Sequence, residues 1–395
     1  RVPMLVGDEL VVAWSPEHLK SNFAADPYTF GPGNHEALAL IVGKGSLFLL
    51  SGEPHKRARK LLMPPFHGER MRGYGALMRE STLRWLATFE TGKSQAFLPT
   101  AQGITLDIIV EAIFGERDPE KIHALHEDIL AIVAAFSPVI ATFKFMQRDF
   151  GGFGPWAKFR KRAEALGARM RALIAQKRTA PGEDILSLLV SARYDDGEPL
   201  EESAILDQLL TFVVAGHETT ATSLAWAIYE LHREPEVLRE LCGVISGIDD
   251  PEALSKLPLL SAVVDEVLRM HPPVPIVLRK CTREFVLGEH TLAPDTIVAA
   301  SMYNAHHREE VFANAKQFRP QRFIDKSYSP FEYAPFGGGA RRCIGAAFAG
   351  YELRVVLGTL LNRATFALEE SGRVGNAFRI GTYGPSTGVR VKRLT

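Results

Sequence analysis

Apolar residues recur at three- and four-residue spacing through much of the first half of the chain. Met78 to Phe89 and Ile104 to Phe114 both follow that spacing, which gathers their apolar side chains on one helical face. From Pro54 to about Arg193 the pattern is mostly helical. Phe136 to Trp156 breaks it, being rich in aromatics and glycine. Ala180-Pro181-Gly182-Glu183-Asp184 reads as a surface loop with a helix start at Asp184. The longest helix is predicted from Ser203 to about Arg233, with Pro235 limiting its end. At about 30 residues it spans roughly 45 Å. Its middle is apolar on most sides, so it is expected to cross the core. Another helix runs from about Leu257 to Met270 and stops at His271-Pro272-Pro273. Before Pro54, short apolar runs (Glu9 to Trp14, Leu47 to Leu50) alternate with turns. Strand-like pieces follow late in the chain, at Thr282 to Leu287, Thr296 to Ser301 and Phe378 to Ile380. The predicted fold is mainly α with small β-sheets. No repeat, low-complexity tract or linker interrupts it, so residues 1–395 are expected to form a single domain.

Composition narrows the function classes. Hydrophobic residues make up 46% of the 395, enough for a substantial core and against disorder. Lys plus Arg equal Asp plus Glu, at 46 each, which argues against a dedicated nucleic-acid binder. Cys242, Cys281 and Cys343 are too far apart for a Cys-x-x-Cys zinc or redox motif. Their odd number does not suggest a secreted disulfide framework. A cytoplasmic, reducing location is the simplest expectation. No window is an uninterrupted apolar membrane span; the longest helical candidate carries Asp207, His217 and Glu218. No signal peptide is visible. The chain starts Arg1-Val2-Pro3 without a methionine, so a truncated N-terminus, with a leader or anchor upstream, stays open.

Chemistry concentrates at Cys343, in Phe336-Gly337-Gly338-Gly339-Ala340-Arg341-Arg342-Cys343-Ile344-Gly345. The glycines let the backbone turn tightly and approach a flat ligand. A helix is predicted just after the cysteine, from about Ile344 to Asn362, and its N-terminal dipole favours a thiolate over a thiol. Such a thiolate is a natural axial ligand for haem iron; a buried cysteine beside a structural turn is the plainer alternative. In the middle of the long helix lies Ala215-Gly216-His217-Glu218-Thr219-Thr220. Gly216 costs helix stability, about 1 kcal/mol against alanine, which makes sense if something flat must approach. Thr219 can turn its hydroxyl to the Ala215 carbonyl and loosen the ladder, leaving room for O2 and a water, and Glu218 adds a carboxylate to a proton relay. An ordinary buried helix with Gly and Thr is the alternative. Glu266 and Arg269, at i and i+3, can pair on one helical face. His55 and Arg59 share a face four residues apart and suit the carboxylates of a ligand, or else form a solvated basic helix start.

These segments occur in an order that resembles the cytochrome P-450 family. The cysteine segment matches Phe-x-x-Gly-x-Arg-x-Cys-x-Gly, and the long helix carries Ala-Gly-x-Glu-Thr-Thr. Phe318-Arg319-Pro320-Gln321-Arg322-Phe323 is similar to the family's Pro-x-Arg-Phe segment. The resemblance implies a single haem-thiolate domain binding haem b (iron protoporphyrin IX), with Cys343 on the iron and Phe336, Gly337, Arg341 and Gly345 in the cofactor loop. It assigns His55, Arg59, Arg279 and Arg341 to the haem propionates. It makes Glu266, Arg269 and Arg322 a buried structural ion cluster, and Gly216, Glu218 and Thr219 the oxygen-activating turn. His217 falls on a variable position. The implied reaction inserts one oxygen atom from O2 into a medium-sized hydrophobic substrate, a fatty acid or terpenoid ahead of a steroid or polyketide. The chain has no flavin, nicotinamide or iron–sulfur motif, so electrons are expected from a ferredoxin-like or flavodoxin-like donor with its reductase, and the protein is expected to be a monomer. Lys56, Arg57, Lys60 and Arg342 are expected to remain as unpaired positive charge, a docking face for that donor or a wet surface. Phe212, one turn before Gly216, and Ala215 are expected to face the substrate, with Ile276, Val277, Thr382 and Tyr383 completing the pocket. A peroxide-driven peroxygenase or haem isomerase of the same fold would not need the threonine relay. A non-catalytic haem sensor would need Cys343 but not Thr219.

Overall fold

The structure, a computed structural model, describes residues 2–3, 9–33, 35–66, 68, 70–135, 146–149, 151–379 and 381–395. Most of the aromatic stretch beginning at Phe136, and Ile380, lie outside the described residues. The chain gathers into two compact units. One comprises Arg1–Gly33, Phe66–Thr105 and Gly216–Thr395; the other comprises Asn34–Pro65 and Leu106–Ala215.

Among the described residues the first unit holds twelve short strands: β1 (Val2–Pro3), β2 (Glu9–Ala13), β3 (Phe30–Pro32), β4 (Ser94–Ala96), β5 (Ile276–Cys281), β6 (Phe285–Leu287), β7 (His290–Leu292), β8 (Ile297–Ser301), β9 (Phe366–Leu368), β10 (Asn376–Arg379), β11 (Thr382–Pro385) and β12 (Arg390–Arg393). The largest sheet has the order β1-β2-β8-β5-β3, in which β2 runs parallel to β8 and β5 antiparallel to it. Strand β5 escapes sequence reading because Pro272, Pro273 and Pro275 mark its approach as a turn. The predicted strand Thr282 to Leu287 shrinks to β6, because Thr282 turns its hydroxyl to the carbonyls of Tyr28 and Thr29.

Helices supply the rest. The predicted Ser203 to Arg233 helix is Glu202–Arg233, and Leu257 to Met270 is Pro258–Met270. Pro258 starts the latter because a helix's first turn does not use its N–H. The helix after the cysteine is Ala346–Arg363, packed on Arg70–Thr88 through Tyr74 and Phe348, whose rings meet edge to face at 5.3 Å. Close approach there depends on Gly75, since a Cβ on it would lie 2.4 Å from the Tyr351 hydroxyl.

The expected ion cluster is sealed inside this unit. Glu266 Oε2 accepts from Arg269 Nε at 2.7 Å and Oε1 from Arg269 Nη2 at 2.9 Å. Arg322 Nε reaches Oε1 at 3.1 Å, and the Arg319 backbone N–H donates to the same oxygen at 2.8 Å. Spare guanidinium hydrogens go to carbonyls, Arg269 to His306 and Arg322 to Ala313. The local i, i+3 pair is thus tied to a segment 53 residues downstream.

A second buried acid has no such support. Glu352 is 1% exposed and its Oε1 lacks a partner. Burial pushes its carboxyl well above the usual range, opposed by a hydrogen bond with Thr220. The fold therefore binds a proton there that the unfolded chain releases at lower pH. That contribution is present below the ordinary carboxylate pKa and is lost as pH rises through the raised one. Each pH unit of displacement corresponds to about 1.4 kcal/mol. We predict that Glu352→Gln raises the denaturation temperature clearly at pH 8 and much less at pH 5. An equal shift at both pH values would show that the carboxyl is not held protonated.

The second unit is helical: His35–Val42, Gly52–Leu62, Pro119–Ala135, Pro155–Thr179 and Ile185–Ser191, with the flanking stretches 106–114 and 202–215. The predicted start at Asp184 holds: it caps Ile185–Ser191 by accepting from the Ser187 N–H at 2.8 Å. The loop Gly43–Leu47 is fastened by the stretch 202–215. Asp207 Oδ2 accepts from the Gly45 N–H at 2.7 Å, Gln208 Nε2 donates to the Gly45 carbonyl at 2.6 Å, and Ser46 and Thr211 share a hydrogen bond at 2.7 Å. Gly43 has φ +76°, where side chains are strained, and a Cβ there would collide with Asp207.

Candidate active site

The segment before Cys343 folds as a glycine turn braced on Phe23. Gly337 and Gly339 have φ of +64° and +66°, a region that favours glycine. A Cβ on Gly338 would meet the Phe23 ring at 2.3 Å, and one on Gly339 would collide with the Phe23 carbonyl. Beside Gly337 and Gly345 a Cβ would meet open space, so that side of the turn is clear for a ligand. The Cys343 N–H donates to the Phe336 carbonyl at 2.9 Å and closes the loop. Cys343 is exposed. Its helix begins at Ala346, with Gly345 as N-cap, two residues later than the sequence predicts.

Arg279 makes the strongest case for an anionic partner. It lies on β5 at 5% exposure. Its Nη1 and Nη2 donate to the carbonyls of Asn22 (2.9 Å) and Gly338 (3.0 Å), while Nε has no partner. No carboxylate pairs with it among the described residues. Burial, together with the positive charge of Arg341, lowers its pKa to about 10. Arg341 is itself pushed down by burial. A buried guanidinium such as that of Arg279, with the positive charge of Arg341 near it, calls for an anion. A pair of ligand carboxylates, such as haem propionates, meets that need, so the residues present fit a haem.

Gly216, Glu218 and Thr219 lie half-buried on the long helix. Neighbouring hydroxyls load its carbonyls: Thr220 Oγ1 donates to the Gly216 carbonyl at 3.1 Å and Ser223 Oγ to that of Thr219 at 2.9 Å. Such back-bonding loosens a helix. Glu218 Oε2 accepts from Gln102 Nε2 at 2.7 Å. Burial pushes the Glu218 carboxyl up; Gln102 and the charge of Arg379 oppose that. His217 is buried, and its carbonyl accepts from Thr105 Oγ1 at 3.0 Å.

His55 and Arg59 sit in the second unit, on Gly52–Leu62, with His55 buried and Arg59 half-buried. The expectation of unpaired charge around them is corrected. Arg57 pairs with Asp196 at 2.5 Å and covers the Tyr194 ring, Lys60 pairs with Asp195 at 2.8 Å, and Lys56 lies 3.7 Å from Glu53. Asp195 and Asp196 come from a turn about 135 residues downstream, beyond the reach of a local charge count, whereas Glu53 is only three residues from Lys56. Arg342 alone of the four has no ion pair among the described residues.

Phe212 is buried and Ala215 half-buried. Ile276 is exposed on β5, and Val277, next along, is half-buried. The Tyr383 N–H donates to the Pro273 carbonyl at 2.9 Å, which draws β11 beside the approach to β5. Strand alternation places Thr382 and Tyr383 on opposite faces. Thr382 is buried, whereas Tyr383 stands exposed against Phe378, ring centroids 5.5 Å apart. Sequence reading missed Gln102, Arg379, Asn22 and Glu352, which belong to none of the motifs.

Comparisons agree in kind. A family model described as Cytochrome P450 matches residues 4–379. Cytochrome P450 138 of Mycobacterium tuberculosis is 34% identical over 98% of this chain and 87% of its own. Cytochrome P450 137 of the same organism is 36% identical over 83% of this chain and 68% of its own. Among solved structures, a retinoic acid-bound cyanobacterial protein, CYP120A1, has a TM-score of 0.86 at 22% identity, covering 98% of this chain and 90% of that one. The haem domain of cytochrome P450DA has a TM-score of 0.87 at 22% identity, covering 99% and 88%. No helix among the described residues is long and apolar enough to cross a membrane.

Proposed function

The chain belongs to the cytochrome P450 family and is a haem monooxygenase; from that premise we propose that it binds haem b through Cys343 and oxidises a medium-sized hydrophobic molecule. The observation that carries this reading is the exposed Cys343 at the end of a glycine turn, beside a buried Arg279 that pairs with no acid among the described residues. When bound, the haem supplies the activation of O2. Cys343 would hold the iron. Arg279 and Arg341, with His55 and Arg59 by their motif, would hold the propionates. The whole chain acts as one catalytic domain. A fatty acid or terpenoid is favoured over a steroid or polyketide, with Phe212, Ala215, Ile276, Val277 and Thr382 as candidate contacts and Tyr383 as an entrance residue. Electrons come from a ferredoxin-like or flavodoxin-like donor with its reductase.

Glu218 carries the proton chemistry. Its raised pKa keeps a proton on the carboxyl to higher pH than an exposed glutamate would. Thr219, the next residue, offers a hydroxyl that can take that proton and pass its own onward. Gly216, one turn earlier, keeps the helix surface open. The test is Thr219→Ala. Haem content and substrate-induced spin-state shifts should stay as in the wild type, while product per electron pair falls several-fold and hydrogen peroxide rises to match. Unchanged coupling would make Thr219 a packing residue.

A further inference from the structure

Glu218 accepts a hydrogen bond from one residue that belongs to no motif, Gln102, and lies in the field of another, Arg379. Gln102 lies on the helix Leu98–Phe114, and its position is fixed from both sides. Next to it, Gly103 lets Trp85 pack flush, since a Cβ there would meet the indole at 2.3 Å. One turn on, Thr105 is tied to the His217 carbonyl at 3.0 Å. The Gln102 amide therefore reaches Glu218 at 2.7 Å from a rigid base.

Arg379 arrives from the β10–β11 hairpin. Register pairs Arg379 with Thr382 and Ala377 with Gly384, so these four share one face, opposite Phe378 and Tyr383. That face meets the long helix at Thr222, one turn beyond Glu218: a Cβ on Gly384 would lie 3.3 Å from Thr222 Oγ1 and 3.4 Å from Arg379 Cδ. Glycine there leaves room for the arginine stem. Thr382 Oγ1 donates to the Arg379 carbonyl at 2.8 Å and closes the turn. The Arg379 Nε is buried without a partner, and no carboxylate pairs with the guanidinium among the described residues. The acid whose titration feels its charge is Glu218. The remaining titratable neighbour is His217, whose Nε2 lies 3.8 Å from Glu218 Oε2.

We propose that Gln102 and Arg379 are positioning residues for Glu218: Gln102 fixes one carboxyl oxygen by a hydrogen bond, and Arg379, uncommitted to any other acid, sets the field in which the carboxyl gains and loses its proton. The proposal rests on the monooxygenase reading, since Glu218 matters only if it delivers protons. Neither residue touches the reacting atoms. Burial favours the neutral acid and the two holders favour the anion, so their balance decides the pH at which Glu218 is a proton donor.

The experiment follows the C=O stretching band of protonated Glu218 by infrared spectroscopy of the haem-loaded protein against pH. The band is identified as the one lost in Glu218→Gln. Removing either holder disfavours the anion, so Gln102→Leu and Arg379→Gln should each move the midpoint up, by about one pH unit or more. Arg379→Lys keeps the charge and should stay near the wild type. Gly384→Ala crowds the arginine stem and should shift the midpoint as Arg379→Gln does, but less. Should Gln102→Leu fail to fold, Gln102→Met serves in its place. The proposal is overturned if Glu218→Gln removes no band, or if the midpoint stays put when either holder is lost. A purely structural role would lower the denaturation temperature and leave the midpoint alone. The carbon monoxide spectrum of the same samples tests haem–thiolate ligation separately, so failure of that reading is distinguishable from failure of the holders.

Discussion

Replacing Cys343 with alanine is expected to abolish the carbon monoxide difference band of a thiolate-ligated ferrous haem. Two other cysteines provide the control. Burial pushes the thiols of Cys242 and Cys281 up, away from the thiolate form that binds iron. Cys281 is also locked into β5, where its N–H donates to the Thr296 carbonyl at 2.9 Å. Cys343 is exposed at the end of a turn shaped by Gly337 and Gly339, just before a helix N-terminus, where the dipole favours negative charge. Cys242→Ala and Cys281→Ala should keep the band at full intensity, and Cys343→Ala should lose it entirely. A thiolate band in Cys343→Ala would remove the central assignment.

Glu266→Ala should be the most damaging substitution for stability. Glu266 and Arg269 are fully sealed from solvent, and Arg322 nearly so. Removing the carboxylate strands two buried guanidiniums and the Arg319 N–H, at a cost of about 3–5 kcal/mol. Since many domains have a net stability of only about 5–15 kcal/mol, little folded protein should remain at 37 °C. Arg322→Lys should cost less, because one charge stays near Glu266 while the contacts to the Ala313 and Asn314 carbonyls are lost. By contrast Lys60→Ala, which breaks an exposed pair with Asp195, should leave stability nearly unchanged. Chemical denaturation of the three variants checks the order. A Glu266→Ala protein as stable as Lys60→Ala would mean that the cluster does not support the fold.

Sequence reading succeeds where the physics is local. Glu266 and Arg269 are three residues apart on one helix, so their pairing follows from helical geometry alone. Asp184 announces its cap, and the proline after Arg233 ends the long helix. Where a contact depends on distant chain, reading succeeds only through a motif. Arg322 was placed that way. Gln102 and Arg379 have no motif, and both lie more than a hundred residues of chain from Glu218. The same limit hides the partners of Arg57 and Lys60, because Asp196 and Asp195 are far away in sequence; Lys56 lies near Glu53, only three residues off. Thr382 and Tyr383 show another limit: they are neighbours in sequence, but the extended strand turns their side chains to opposite faces, which adjacency along the chain does not reveal.

Strand β2 carries a consequence for how the protein is made. It is hydrogen-bonded in parallel to β8, with Leu10 opposite Ile297 and Ala13 opposite Ala300. During synthesis the Glu9–Ala13 segment leaves the ribosome nearly three hundred residues before its partner exists. At a translation rate of about 5–20 residues per second, the wait is on the order of tens of seconds. Throughout it, Leu10-Val11-Val12 is an unpaired β-prone stretch, open to association with other nascent chains. Closing the sheet is therefore a late event with a high loop-closure cost. Yield in a foreign host should depend on how long that end is shielded, which makes slower induction or chaperone supply the first remedy for insoluble material.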